Sequence, residues 1–295
     1  MQKIKITEVG PRDGLQNEKT IVPTNQKIKF IHKLQLAGLE NIETTSFVRP
    51  DRIPALSDSL ELSNILNPST NPNYLCLVPN QKGLENALKA GYKKIAVFGA
   101  ASETFSQKNI NMSIDDSIIS FGDVIRKAKK NNIQVRGYIS TAFYCPYEGK
   151  INPEKVFEIA NKLLELGVDE IDLGDTIGKA VPKDVEILLN VFYKSYNPNL
   201  LTMHFHNTYG TALANVQKSL EMGITSFDSS AGGLGGCPYA AGASGNLATE
   251  DLVFLLENSG YDTGVQLDKL VEASRFMETI LQKELNSNVY RALKK

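Results

Sequence analysis

The chain has no stretch of about 18 consecutive apolar residues, so no segment can satisfy its backbone while crossing a bilayer. Net charge is almost missing as well. The 32 basic and 33 acidic residues leave a formal balance of -1, which gives no electrostatic footprint for nucleic acid or an anionic surface. Cysteine is scarce: Cys76, Cys145 and Cys237 form no C-x-x-C pair and are odd in number, which disfavours a disulfide framework and a zinc finger. Cys76, inside YLCLV, reads as small apolar filler. No G-x-G-x-x-G follows the first strand-like run, where EVGPRDGLQN stands, so a dinucleotide fingerprint is absent. Low-complexity segments and long charge runs are also lacking. The N-terminal MQKIKITEVGPRDG has neither an apolar h-region nor an Arg/Ser-rich amphipathic stretch, and a cytosolic location is expected.

What is present is a hydrophobic content of 42% in 295 residues, enough for a large core and within the length that one α/β barrel fills. Four copies of an irregular repeat end a helical pattern in glycine and continue at once into a β-rich run. They read LQLAGLENIETTSF, ALKAGYKKIAVFGA, LLELGVDEIDLGDT and SLEMGITSFDSS, with Gly38, Gly91, Gly167 and Gly223 at helix C-caps. Further strands are expected at Ile4–Val9, Tyr74–Val78, Gln134–Thr141 and Leu200–His206. Eight alternating β/α units imply parallel pairing with right-handed crossovers and close most naturally into a (β/α)8 TIM barrel. An open doubly wound sheet is the alternative. Residues 1–295 form one domain in this reading, with extra C-terminal helices drawn from the helix-like stretches Ala248–Asn258 and Leu267–Leu285.

Reacting groups of such barrels sit at the C-terminal ends of the strands. Polar residues cluster there: Glu8 with Arg12 and Asp13 after strand one, Glu43 and Thr45 on strand two, Arg136, Tyr138 and Ser140 on strand five. Asp172, Asp175 and Thr176 follow on strand six, and His204-Phe205-His206 closes strand seven. Side chains alternate across a strand, so His204 and His206 face one point while Phe205 faces the helices. The chain has only three histidines, and two at this spacing favour metal ligation; His32, within KFIHKLQLAG, reads as structural. Asp13 is the natural carboxylate partner, because strand one neighbours strand eight in a closed barrel. Asn246 offers a carbonyl oxygen as a fourth ligand. Arg12 is suited to a developing enolate or carboxylate, with a barrel-mouth salt bridge as the competing role. After strand eight comes a loop, Ala231 to Asn246, with six glycines and Cys237, a composition that suits a lid.

The segments EVGPRDGLQNE, IETTSFV, FGAASE, VRGYIS, CPYEGKI, LGDTIG, HFHNTYG and GLGGCPYAAGASGNLATEDLV resemble the 3-hydroxy-3-methylglutaryl-CoA lyase family nearly end to end. The strand-one and H-x-H pieces alone also fit related barrel synthases. The Gly-Gly-Cys-Pro loop and the GPRDGLQNE opening favour the lyases. The resemblance implies cleavage of 3-hydroxy-3-methylglutaryl-CoA to acetyl-CoA and acetoacetate with Mg²⁺ or Mn²⁺, an acyl-CoA substrate, and a homodimer. It implies Asp13, His204, His206 and Asn246 as metal ligands, Arg12 facing the thioester oxygen, and Cys237 as a catalytic residue. Gln16, Glu43, Tyr138, Asp175 and Thr176 match active-site positions of that family. Asp13 and Glu43 are candidates for the base, and His204 and Cys237 for later proton delivery. Asn207 stands where many relatives carry Asp, so a carboxylate that orients a histidine ligand is expected to be missing.

Overall fold

A computed structural model describes residues 1–236 and 245–294. Eight parallel strands close into a barrel in chain order: β1 (Lys5–Glu8), β2 (Asn41–Ser46), β3 (Tyr74–Leu77), β4 (Lys94–Ala100), β5 (Gln134–Ser140), β6 (Glu170–Asp175), β7 (Leu201–Phe205) and β8 (Ser226–Ser229). Closure is made by β8 against β1, with Lys5 opposite Ser226 and Glu8 opposite Ser229. The expected (β/α)8 barrel is therefore the observed one. No helix among the described residues is long and apolar enough to span a membrane.

The helices α1 (Thr24–Leu36), α2 (Ser59–Leu66) and α3 (Gln81–Ala90) follow the first three strands, and two, α4 (Glu103–Ile110) and α5 (Ile114–Lys130), follow β4. The remaining units are completed by α6 (Pro153–Glu165), α7 (Pro182–Phe192), α8 (Ala212–Glu221) and α9 (Thr249–Asn258). Local chemistry sets their ends. In α5, Ser113 accepts a hydrogen bond from the Asp116 amide, Asp115 and Asp116 occupy the first turn, and Lys127, Lys129 and Lys130 the last, so cap and charges both favour the helix. Gly38, Gly91, Gly167 and Gly223 all take φ between +88° and +103°, the conformation the repeat requires of them. Beyond α9 the expected single stretch Leu267–Leu285 is shorter. Helix α10 (Leu267–Leu281) stops where Gln282 turns to φ +50°, and a further short helix, α11 (Asn288–Leu293), follows.

The main apolar core lies outside the barrel, between strands and helices. Ile42, Cys76, Ile95, Val97, Ile139, Ile171, Met203, Phe205 and Phe227 face it, joined by helical residues such as Phe30, Leu84, Ile125 and Leu188. Full burial of each such side chain stabilises the fold by about 1.5–3 kcal/mol. Strand alternation then sends the intervening residues inward, and here these are mostly polar. Arg136 lies near the barrel axis: Nη1 donates to both Asp228 oxygens at 2.8 and 2.9 Å and lies 3.3 Å from Asp172 Oδ2, while Nη2 donates to Glu170 at 2.7 Å. Glu170 in turn accepts from Lys5 Nζ at 2.7 and 2.9 Å. One small apolar patch interrupts this interior, made by Leu75, Leu77, Ala96 and the Tyr138 ring, with Phe98 packed against it.

Glu8, grouped with the mouth residues on sequence grounds, instead clamps the barrel closure. Its carboxylate accepts from the Gly10 amide at 2.8 Å, the Ala231 amide at 2.9 Å and Thr249 Oγ1 at 2.7 Å. Glu250 holds the adjacent Gly232 amide at 2.9 Å from the other side and accepts from Ser274 Oγ. Burial outweighs the donated hydrogen bonds and pushes Glu8 up to about 7.

Replacing Arg136 by Met strips Glu170, Asp172 and Asp228 of their shared cation. The variant is expected to lose about 3–5 kcal/mol of stability, the usual cost of leaving buried charge unpaired. Urea unfolding at neutral pH measures it, and a loss below about 1 kcal/mol would contradict the assignment.

Candidate active site

The site is assembled at the C-terminal mouth from three neighbouring elements. After β1 the chain makes a single π-type turn over Gly10–Gly14, in which the amides of Arg12, Asp13 and Gly14 all donate to the Val9 carbonyl. Such turns recur at functional sites because they re-aim consecutive side chains. This one turns Arg12 and Asp13 inward. At the end of β7, His204 and His206 share one face, with ring centroids 5.3 Å apart, as strand alternation requires. Asn246 reaches the same point because the segment after residue 244 pairs with the end of β7: His206 and Asn246 form an antiparallel bridge, and Leu247 N donates to Phe205 O. Gly235, earlier in the same loop, takes φ +119°, and a Cβ there would stand 2.8 Å from Asn246 Nδ2.

Asp13, His204 and His206 present ligand atoms within 4.8 Å of one another. Asn246 Nδ2 donates to Asp13 Oδ2 at 2.8 Å and to the Leu234 carbonyl at 3.1 Å, which leaves Oδ1 buried and without a partner. His206 Nδ1 is buried and unpartnered too. Two imidazoles and one carboxylate that converge, with the unpartnered amide oxygen of Asn246 on the neighbouring side chain, fit a divalent cation of mixed N/O preference. No thiolate belongs to this group among the described residues.

Behind it stands a residue the sequence reading passed over. His204 Nδ1 lies 3.2 Å from Asp228 Oδ2, the carboxylate that Arg136 also holds. This orients the ring and leaves its other nitrogen free for the site. The signal was available: in S-F-D-S on strand eight, Asp228 alternates with outward-facing Phe227. An orienting carboxylate for His204 thus comes from β8, whereas His206 Nδ1 has no partner among the described residues. Asn207 Oδ1 accepts from the Ala212 amide at 3.2 Å, at the start of α8.

Arg12 is 7% exposed and doubly anchored. Nε donates to Glu43 Oε2 at 2.7 Å, Nη2 lies 2.6 Å from the same oxygen, and Nη1 donates to Asp13 Oδ1 at 2.7 Å. Its guanidinium carbon sits 5.4 Å from the centre of the Tyr138 ring. Glu43 Oε1 and the Tyr138 hydroxyl are buried without partners. Gln16 Nε2 reaches Asp13 Oδ1 at 3.2 Å. Asp175 and Thr176 are committed differently. Asp175 accepts from the Lys179 and Ala180 amides, both at 3.0 Å, and Thr176 Oγ1 accepts from the Thr141 amide at 2.7 Å, so both shape the rim loops. Cys237 lies outside the described residues.

The electrostatics follow from this packing. Burial disfavours ionisation of Asp13, but Arg12, then His204 and His206, and the Asn246 amide hold it below its ordinary value. Burial acts first on Glu43 also, and there it prevails over Arg12 and raises the carboxyl. His204 is buried, which opposes its charge. The Asp228 hydrogen bond and the charges of Asp172, Asp228 and Asp13 nevertheless lift it to about 9. His206, under burial and the neighbouring His204, falls to about 4.

Fold and site together define a (β/α)8 barrel with a candidate divalent-cation centre at its C-terminal mouth. Residues 3–277 match the model of the HMGL-like family. The human protein "Hydroxymethylglutaryl-CoA lyase, mitochondrial" is 50% identical over 291 residues, 99% of this chain and 90% of that one. The rat protein "3-hydroxy-3-methylglutaryl-CoA lyase, cytoplasmic" is 50% identical over 289 residues, 98% of this chain and 84% of that one. The crystal structure of the B. subtilis HMG-CoA lyase superposes with a TM-score of 0.97 at 47% identity, covering 100% of this chain and 99% of that one. The chain belongs to the HMGL-like family, as its motifs led one to expect.

Metal binding must displace the proton that His204 carries at neutral pH. Affinity for Mn²⁺ is therefore expected to rise about tenfold per pH unit up to about 9, measured by EPR of the free ion. Asp228→Asn removes the strongest support of that proton, so the rise ends at lower pH, and loss of ring orientation weakens affinity at pH 9 by about 10–100-fold. A pH-independent affinity in the parent protein would contradict this electrostatic picture.

Proposed function

We propose that this chain is a divalent-metal-dependent lyase that cleaves (S)-3-hydroxy-3-methylglutaryl-CoA to acetyl-CoA and acetoacetate by a retro-Claisen reaction. The observation that carries the reading is the juxtaposition of Asp13, His204 and His206 with a buried arginine held between two carboxylates. Membership of a family that includes lyases of this substrate supports it. Asp13, His204, His206 and Asn246 would hold the ion, Mg²⁺ or Mn²⁺. When bound, the cation supplies Lewis acidity toward the substrate's tertiary hydroxyl and free carboxylate.

The protein's own groups do the rest. A base takes the C3 hydroxyl proton; the C2–C3 bonding pair passes into the thioester as an enolate, and C3 becomes the ketone carbon of acetoacetate. Glu43 suits the base role better than Asp13, because burial raises its proton affinity and its Oε1 is free. Arg12 has five N–H donors, and three are spent on Asp13 and Glu43, so two remain for the thioester oxygen as its charge grows. Fixing the guanidinium beforehand avoids reorganisation during bond cleavage. Protonation of C2 then releases acetyl-CoA, with Cys237 as the candidate donor on sequence grounds alone; His204, bound to the ion through one nitrogen and held by Asp228 at the other, has no proton to give in the loaded site. Gln16 and Tyr138 complete the substrate contacts in this reading, with Asp175 and Thr176 supporting the rim. A single catalytic domain over residues 1–295, a homodimer and a cytoplasmic location belong to the same proposal.

Arg12→Met tests the central step. Turnover of 3-hydroxy-3-methylglutaryl-CoA, followed as acetoacetate release, is expected to fall by about three powers of ten, with Mn²⁺ affinity nearly unchanged. A loss of only a few fold would remove Arg12 from enolate stabilisation. Failure of the parent protein to cleave this thioester at all would reject the substrate.

A further inference from the structure

The opposite end of the barrel carries a feature that the proposed reaction does not use. A cavity of about 180 Å³ opens at the N-terminal mouth, lined among others by Lys5, Lys94, Arg136, Asn41, Asn73 and Glu170. Lys94 is the first residue of β4 and shares its inward face with Ala96 and Phe98. Its ammonium is half-buried, yet no carboxylate lies within ion-pair range among the described residues. Its partners are two neutral amide oxygens, Asn73 Oδ1 at 3.2 Å and Asn41 Oδ1 at 3.4 Å.

The nearby carboxylates are spent elsewhere. Glu170 is shared by Lys5 and Arg136. Asp169 faces Lys129 and accepts from the Val135 amide at 2.8 Å. Of the three cations that line the cavity, Lys5, Lys94 and Arg136, Lys94 is the one without an ion-pair partner among the described residues. Burial, and next the charge on Lys5, lower the proton affinity of Lys94, and the opposing charge of Glu170, shared with Lys5 and Arg136, does not restore it. A partly desolvated ammonium of this kind is stabilised by an anion that accepts its free N–H.

We propose that the N-terminal mouth binds one small inorganic oxoanion, of the phosphate or sulfate class, on Lys94, with the amide groups of Asn41 and Asn73 reoriented to donate to it. The volume accommodates a tetrahedral anion with some of its water. This site is separate from the candidate active site and does not depend on the substrate reading. Its consequence is for stability: an anion bound here pairs the Lys94 charge at the N-terminal mouth and stabilises the folded state, as ligands that bind only that state do.

Isothermal titration of the full chain with inorganic phosphate, against chloride at matched ionic strength, tests it. The parent protein is expected to bind one phosphate with Kd on the order of 1 mM. Lys94→Met should weaken that binding about tenfold or more and leave the lyase assay unchanged. Asn73→Asp provides an independent check, because it places an internal carboxylate beside Lys94. It should abolish phosphate binding and raise the melting temperature. Absence of saturable binding in the parent protein, or binding that both variants leave intact, overturns the proposal.

Discussion

Arg136 is the interaction on which the rest of the interior depends. A guanidinium inside a barrel is tolerable only when carboxylates surround it, and those carboxylates are tolerable only because of it. Glu170 below and Asp228 above share this one cation, and the series continues at both ends: Lys5 holds Glu170, and Asp228 holds the His204 ring. A line of alternating charge thus runs from the N-terminal mouth to the candidate metal site. Hydrophobic stabilisation has been moved to the shell between strands and helices, where Phe30, Phe192, Phe205 and Phe227 are fully buried.

The arrangement fixes the geometry of the site without using the substrate. His204 is aimed by Asp228, Asp13 is held by Arg12 and Asn246, and Arg12 is held by Glu43. Two of these supports, Asp228 and Glu43, stand on strands, and Asn246 is pinned to the end of β7 by a bridge to His206, so the centre is built largely on rigid elements. The π-type turn after β1 supplies both Arg12 and Asp13, which couples the candidate metal ligand to the candidate enolate stabiliser through one short segment.

Much of this could be read from sequence, for identifiable reasons. Gly38, Gly91, Gly167 and Gly223 mark helix ends because only a residue at ease with positive φ ends a helix there, and the spacing of those ends revealed the barrel. The H-x-H pair declared its shared face through period-two alternation. What sequence concealed were pairings across long separations. Arg136 and Asp228 are 92 positions apart, and Glu8 meets Thr249 across 241, so neither bond has a local signature. Glu8 was grouped with the mouth residues because it ends a strand, whereas its carboxylate serves the closure of β1 on β8. Asn207 departs from the family pattern; β8 supplies a carboxylate to His204 that no local motif announces, and none reaches His206 Nδ1 among the described residues. The stop at Gln282 and the short α11 also went unread, since no glycine or proline marks that break.

The most direct measurement is release of acetoacetate and acetyl-CoA from 3-hydroxy-3-methylglutaryl-CoA by EDTA-stripped protein, before and after Mg²⁺ or Mn²⁺ is restored. The account predicts negligible cleavage without the ion and rapid release of both products with it, in equal amounts. Cleavage that is indifferent to the ion, or none from folded and ion-loaded protein, would contradict it.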